Sequence, residues 1–307
     1  MLCSMIFSPH VRALPVLAAT IFFAGCNSDP VVWPVSADAA GDWPFLESTY
    51  GPRLRSKDDT YDFSDGIDIL VPMYADIHSI AAGTVHIIEQ MGEGGGMRVQ
   101  IRHDGYYSNY THLLKVDVHG GDIVDPGDFI ATAGATDEGD EYLHFEIRMP
   151  GWSKSDCVHP FRALPYTDRG IPALEMGAID TTIPTSPKVT ARVVVRNVEL
   201  DVVTISAATF DAPPGTPLDG LSPLSEQSWD MEQWNREKAE NATDPTQIDD
   251  PAPNGIEVRP EKYTHVSREQ SIEFTFTKLV GPVDPSRLRV RVQAGDISGN
   301  VAVVTGP

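Results

Sequence analysis

Cysteine is scarce in this 307-residue chain, with only Cys3, Cys26 and Cys157. A disulfide scaffold is therefore excluded as the source of the fold. Positive charge is also scarce: 23 Lys and Arg stand against 44 Asp and Glu, a formal net charge of −21. A surface of that sign has no grip on the phosphates of nucleic acid and repels anionic lipid and teichoic acid. Apolar runs are short, and Ala13–Phe23 falls below the ~18 residues needed to cross a bilayer as a helix. Sequence repeats are missing, as is the Gly-x-Ser-x-Gly elbow of serine hydrolases. The Gly92–Gly96 run lacks the lysine and following helix of a phosphate loop and reads as a hairpin tip. The Gly121–Asp128 turn carries no modifiable lysine at its tip.

What is present begins with an export segment. Arg12 gives residues 1–25 a thin positive start, Ala13–Phe23 an apolar stretch, and Phe23-Ala24-Gly25-Cys26 a small-residue end. The end resembles a bacterial lipobox, which would make Cys26 the lipidated N-terminus of the mature chain. The alternative is an ordinary signal peptide cleaved near Ala24-Gly25. Without residues 1–25, whose one formal charge is Arg12, the chain carries −22. A lipid anchor, not charge, would then hold it to a membrane. Asn27 after the cysteine favours the outer membrane, on its periplasmic face or at the surface. Cys157 is left alone, as a buried or half-buried thiol with no catalytic pattern around it.

With 25 glycines and 25 prolines the rest favours short strands and turns. Residues 26–43 read as a tether. From 44 to 166 come short strands at Asp76–Ile80, Gly83–Ile88, Met97–His103, Tyr106–His112 and Leu143–Arg148, with no helical period, so the expected class is all-β. A connector is expected over 167–187. Residues 188–307 are expected to form an immunoglobulin- or fibronectin-like β-sandwich with strands Lys188–Ala208, Ile272–Thr277, Leu288–Gln293 and Val301–Val304. A tight turn is expected at Asp296–Asn300. An insertion at about 212–254 interrupts it, with a surface helix at Ser225–Asn241 carrying Trp229 and Trp234.

Six motifs fall in order along 44–166. Phe45–Arg53 reads Phe-Leu-Glu-Ser-Thr-Tyr-Gly-Pro-Arg, and Ser64-Asp65-Gly66-Ile67-Asp68-Ile69 follows. Next come Ile80-Ala81-Ala82-Gly83-Thr84-Val85 and Tyr110-Thr111-His112-Leu113. Last are Gly121–Asp128 and Leu143-His144-Phe145-Glu146-Ile147-Arg148. The ordered set resembles the lysostaphin/LytM family of peptidoglycan metalloendopeptidases. That resemblance implies an antiparallel β-domain ahead of the sandwich. It also implies zinc held by a His-x-Gly-x-Asp pair and by the second histidine of a His-x-His strand, with two further histidines assisting the bound water and the oxyanion. Three ligands and an open position lower the water pKa to about 7.

Carried across by position, Asp68 and His144 match metal ligands and His112 matches a catalytic histidine. Ser64 replaces the first ligand histidine, and Tyr142 replaces the other catalytic one. A hydroxyl is a poor zinc ligand beside an imidazole, and a phenol is no base at pH 7. Asp65 is adjacent to Ser64, but a side chain one residue along points elsewhere; the other domain histidines, His78, His86, His103 and His119, lack the family spacing and read as surface or strand-end groups. The leading expectation is an envelope lipoprotein, catalytically degenerate, that binds peptidoglycan stem peptides or regulates an envelope amidase. The alternative is an active zinc endopeptidase using Asp68, His144 and a third ligand. A structural reading, in which the sandwich docks a protein and the first domain is a spacer, stays open.

Overall fold

A computed structural model describes residues 30–35, 45–54, 60–92, 95–136, 139, 141–150, 156–168, 170–182, 188–197, 201–241, 252–261, 270–279 and 284–306. The expected signal segment, Cys26 and most of the expected tether lie outside them.

The first half carries β1 (Leu46–Ser48), β2 (Gly51–Leu54), β3 (Tyr61–Ser64), β4 (Ile67–Leu70), β5 (Asp76–His78), β6 (Gly83–Gln90), β7 (Met97–Arg102), β8 (Tyr107–Val116), β9 (Ile123–Val124), β10 (Phe129–Ala133), β11 (Tyr142–Arg148) and β12 (Cys157–Val158). The second carries β13 (Ala173–Thr182), β14 (Lys188–Asn197), β15 (Val202–Asp211), β16 (Ser225–Asp230), α1 (Met231–Asn241), β17 (Ile256–Pro260), β18 (Gln270–Leu279), β19 (Leu288–Asp296) and β20 (Val301–Gly306). The all-β expectation holds, and every strand pairing in the described residues is antiparallel.

The first sheet runs β1-β4-β11-β8-β7-β6-β9, with β10 joining β5 and β8 and with β12 on β11. Its core is made of inward-facing alternate residues such as Ile67, Ile69, Ile101, Tyr110, Phe145 and Ile147. Gly66 turns β3 into β4 so close to β11 that a Cβ there would lie 2.3 Å from the Phe145 carbonyl oxygen. Only glycine fits that approach.

The second half packs sheet β13-β14-β18-β17 against sheet β16-β15-β19-β20, the expected sandwich. Several local expectations change. Lys188–Ala208 is two strands, β14 and β15, not one. The expected connector contains β13, which pairs with β14 along its length. The expected helix over Ser225–Asn241 begins only at Met231, because Ser225–Asp230 pairs with β15 and Asp230 caps the helix, accepting from the Gln233 N–H at 2.9 Å. The tether is not wholly free of structure either. Trp33 and Val35 are buried in the first core, and the Trp33 indole donates to the Pro165 carbonyl at 2.9 Å. The Asp296–Asn300 turn is present, closed by Gly299 N–H on the Asp296 carbonyl with Gly299 at φ 90°.

The two halves share their cores. Tyr50, Phe63 and Cys157 of the first half pack with Val193, Phe274, Trp229 and Val292 of the sandwich. In return, Val203 and Ile297 enter the first core.

His103 follows a strand end, as expected, but it is buried rather than at the surface. Its Nδ1 lies 2.8 Å from the Ala82 carbonyl, so that nitrogen carries the proton, and Nε2 lies 2.7 Å from Ser108 Oγ. Burial pushes its pKa below the ordinary 6.5. The unfolded chain therefore takes up this proton first as pH falls. The contribution of His103 to stability is complete above about pH 6.5 and declines below it. Wild type is expected to lose more melting temperature than His103→Asn between about pH 7 and about pH 5.

Candidate functional site

The pairing of β11 with β4 and β8 builds the site. His144 stands directly opposite Asp68 on one side and Thr111 on the other, and paired residues share a face. Tyr142, His144, Glu146 and Arg148 share that face by the two-residue period of β11. On a regular β8, His112 would face the other way from Thr111. A bulge prevents this. Leu113 pairs with Met97 while Tyr110 pairs with Val99, so β8 has one residue more than β7, and His112 takes φ 60°. Bulges re-aim side chains in this manner. The His112 ring then meets Tyr142 edge-on at 5.0 Å and lies 6.5 Å from the His144 ring.

The structure thus brings Asp68, His112, Tyr142 and His144 together. His144 Nδ1 is 2.6 Å from Asp68 Oδ1, and Nε2 is 3.2 Å from Glu146 Oε1. The other Asp68 oxygen accepts from Arg53 at 2.8 Å, and Arg53 also donates to Asp62 at 2.8 Å. Glu146 accepts from Asn109 at 2.7 Å and from Arg148 Nε at 2.7 Å, and Asn109 accepts from Gln100 at 2.8 Å. A polar ladder therefore crosses the sheet from Arg53 to Gln100, alternating Arg53, His144 and Arg148 with Asp62, Asp68 and Glu146. Arg53, Glu146 and Arg148 lay within the sequence motifs. Their roles depended on cross-strand partners that spacing alone does not identify.

Burial opposes charge on His144, but Asp68 and Glu146 overcome it and push its pKa up to about 10. Burial likewise acts to raise Asp68 and Glu146, yet the facing cations hold both carboxyls below their ordinary range. Burial and the neighbouring His144 charge push His112 down. His112 is thus the neutral imidazole of the pair, and its buried Nδ1 makes no hydrogen bond.

Ser64 is buried and donates its hydroxyl hydrogen to the Gly66 carbonyl at 3.0 Å, closing its own turn. Asp65 accepts from Asn235 of α1 at 2.9 Å. Among the described residues, no third His, Cys, Asp or Glu joins Asp68 and His144 with all ligand atoms within 4.8 Å. The donor set is one short of a three-ligand catalytic zinc centre, and both nitrogens of His144 are engaged by carboxylates. His119 is exposed, and His78 bonds the Gly127 carbonyl. His86 packs on Tyr107. Cys157 is buried, which raises its thiol pKa, so it is no thiolate nucleophile.

The family model for peptidase family M23 matches residues 62–157. Among curated relatives, the uncharacterized lipoprotein YgeR of Escherichia coli K12 is 31% identical over 141 residues, covering 44% of this chain and 55% of that protein. The murein hydrolase activator NlpD of Salmonella typhimurium is 33% identical over 158 residues, covering 50% of this chain and 39% of that protein. The chain therefore spans about half or less of the length of these relatives. A zinc-containing peptidase from Vibrio cholerae is 27% identical with a TM-score of 0.37, covering 45% of this chain and 41% of that one. Residues 62–157 are a domain of peptidase family M23, the lysostaphin/LytM type that the ordered motifs imply.

Proposed function

We propose that this chain is an envelope lipoprotein whose M23 domain no longer performs zinc catalysis and instead binds murein peptides or regulates a murein hydrolase. The observation that carries the reading is the Ser64 hydroxyl, turned onto the Gly66 carbonyl at 3.0 Å where a third metal donor is needed. Tyr142 adds to it, since a phenol with an ordinary pKa near 10 takes no proton from water at neutral pH. In active members of such a family, zinc supplies the nucleophilic water. Here the residues perform only binding steps. His112, neutral and half-buried, offers its imidazole ring to a peptide group. Tyr142 offers an aromatic edge and a hydroxyl. The pairing of β11 with β4 and β8 that sets out these side chains does not depend on a metal.

The names of the relatives support an envelope role, one as a lipoprotein and one as a murein hydrolase activator. An N-terminal anchor at Cys26, an outer-membrane location and a partner amidase belong to the same proposal. The acidic surface supports a protein or peptide ligand over a nucleic acid.

The test is elemental analysis of the exported chain after exposure to zinc, beside His144→Ala, together with assay of muropeptide release from murein. Zinc well below about one per chain in both proteins, and no release, is the expected result. Near-stoichiometric zinc lost in His144→Ala, with chelator-sensitive release, would establish the endopeptidase alternative instead.

A further inference from the structure

Among the described residues, Tyr74 and His112 are the two non-glycine residues with positive φ, at 72° and 60°. For a bulky aromatic the left-handed region is a genuine outlier. Tyr74 occupies the third position of the turn closed by Ala75 N–H on the Pro72 carbonyl at 3.0 Å. Positive φ there is the position that glycine fills in a type II turn. Packing does not repay the strain, because the side chain is 67% exposed.

Tyr74 and His112 are fastened to one short stretch of chain. The Tyr74 N–H donates to the Ala133 carbonyl at 2.9 Å, and the next residue, Gly134, donates to the His112 carbonyl at 2.8 Å. The Tyr74 turn starts just after Leu70, and Leu70 pairs with Tyr142. The backbones of the two strained residues are therefore linked through Ala133–Gly134, at the His112–Tyr142 end of the polar cluster. Backbone strain held in place by surrounding hydrogen bonds, with no side-chain packing to require it, is characteristic of sites where geometry serves binding. An exposed tyrosine is a suitable contact, giving a large face and a hydroxyl at low entropic cost.

We propose that Tyr74 is a ligand-contacting residue beside the His112–Tyr142 pair, held out by left-handed backbone to pack on a murein peptide. This rests on the murein-binding reading above. It goes further by naming a contact outside the six motifs and by giving the strain a purpose.

The experiment measures co-sedimentation of the full exported chain with purified murein sacculi, alongside thermal melting. Wild type is compared with Tyr74→Gly, Tyr74→Asn and Tyr74→Phe. Glycine and asparagine tolerate the left-handed region, so both variants are expected to melt higher, by about 2 °C or more. Both are expected to bind sacculi about five-fold or more weakly, while Tyr74→Phe stays near wild type in both respects. A structural tyrosine would instead lower melting and binding together in Tyr74→Gly, which would overturn the assignment. Undiminished binding by Tyr74→Gly would overturn it as well. If wild type itself fails to sediment with sacculi, the murein-binding reading falls, a result distinct from failure at Tyr74 alone.

Discussion

Glu146→Ala is expected to destabilise the chain by about 3–5 kcal/mol, because it strands buried cations instead of merely deleting a bond. Glu146 is 7% exposed and takes hydrogen bonds from Asn109 and Arg148 while facing His144. Removing the carboxylate leaves the Arg148 guanidinium and one nitrogen of His144 without their anion. The Asn109 amide also loses its acceptor, although Gln100 still donates to it. The contrast is Glu89, which pairs with Arg98 at 2.8 Å but is 45% exposed at its side chain. Glu89→Ala is expected to cost less than about 1 kcal/mol, since solvent screens such a pair. Urea unfolding of the two variants checks both values. Equal losses would mean that the ladder is not electrostatically buried.

Trp229→Ala is expected to cost about 3–5 kcal/mol and to loosen both halves of the chain together. Trp229 is 2% exposed and packs on Phe63 at 6.3 Å, Trp234 at 5.5 Å and Phe274 at 6.2 Å. Phe63 lies in β3, one residue before Ser64, whereas Phe274 lies in the sandwich. The same interface holds the Arg162–Glu232 ion pair at 2.7 Å and the Asn235–Asp65 bond. Hydrogen exchange should therefore show reduced protection in β3 and β4 as well as in β15 and β18. Loss confined to the sandwich strands would show that the halves open independently. Because Asn235 of α1 bonds Asp65 in the turn that leads into β4, such opening is also expected to weaken any ligand held at Asp68 and His144.

The M23 domain was legible because its motifs are short and local: a glycine turn, a strand with two-residue alternation, a Gly-Asp turn. Asp68, His112 and His144 could be placed from these alone, and so could the substitutions at Ser64 and Tyr142. Other features were hidden for definite reasons. Ser225–Asp230 carries a single inward apolar residue, Trp229, so no strand period was visible, and its pairing with β15 decides its conformation. Trp33 sits in Pro30–Val35, an apolar run too short and too interrupted by proline to show a period, and its burial depends on a core assembled from residues far along the chain. The β13 strand lay in a Pro- and Thr-bearing segment whose only strand signal is its partner β14.

The sequence by itself determined the all-β class, the family of residues 62–157 and the acidic net charge, and it named Asp68, His112, Tyr142 and His144 as candidates, because each is a property of composition or of neighbours in sequence. Tertiary structure alone decided how those side chains are used. It set His112 onto the site face by a one-residue bulge, closed Asp68 and His144 into a ladder with Arg53 and Glu146, and bonded Asn235 of α1 to Asp65. Those outcomes depend on strand register and on contacts between residues up to 170 positions apart, and a local pattern carries no information about either.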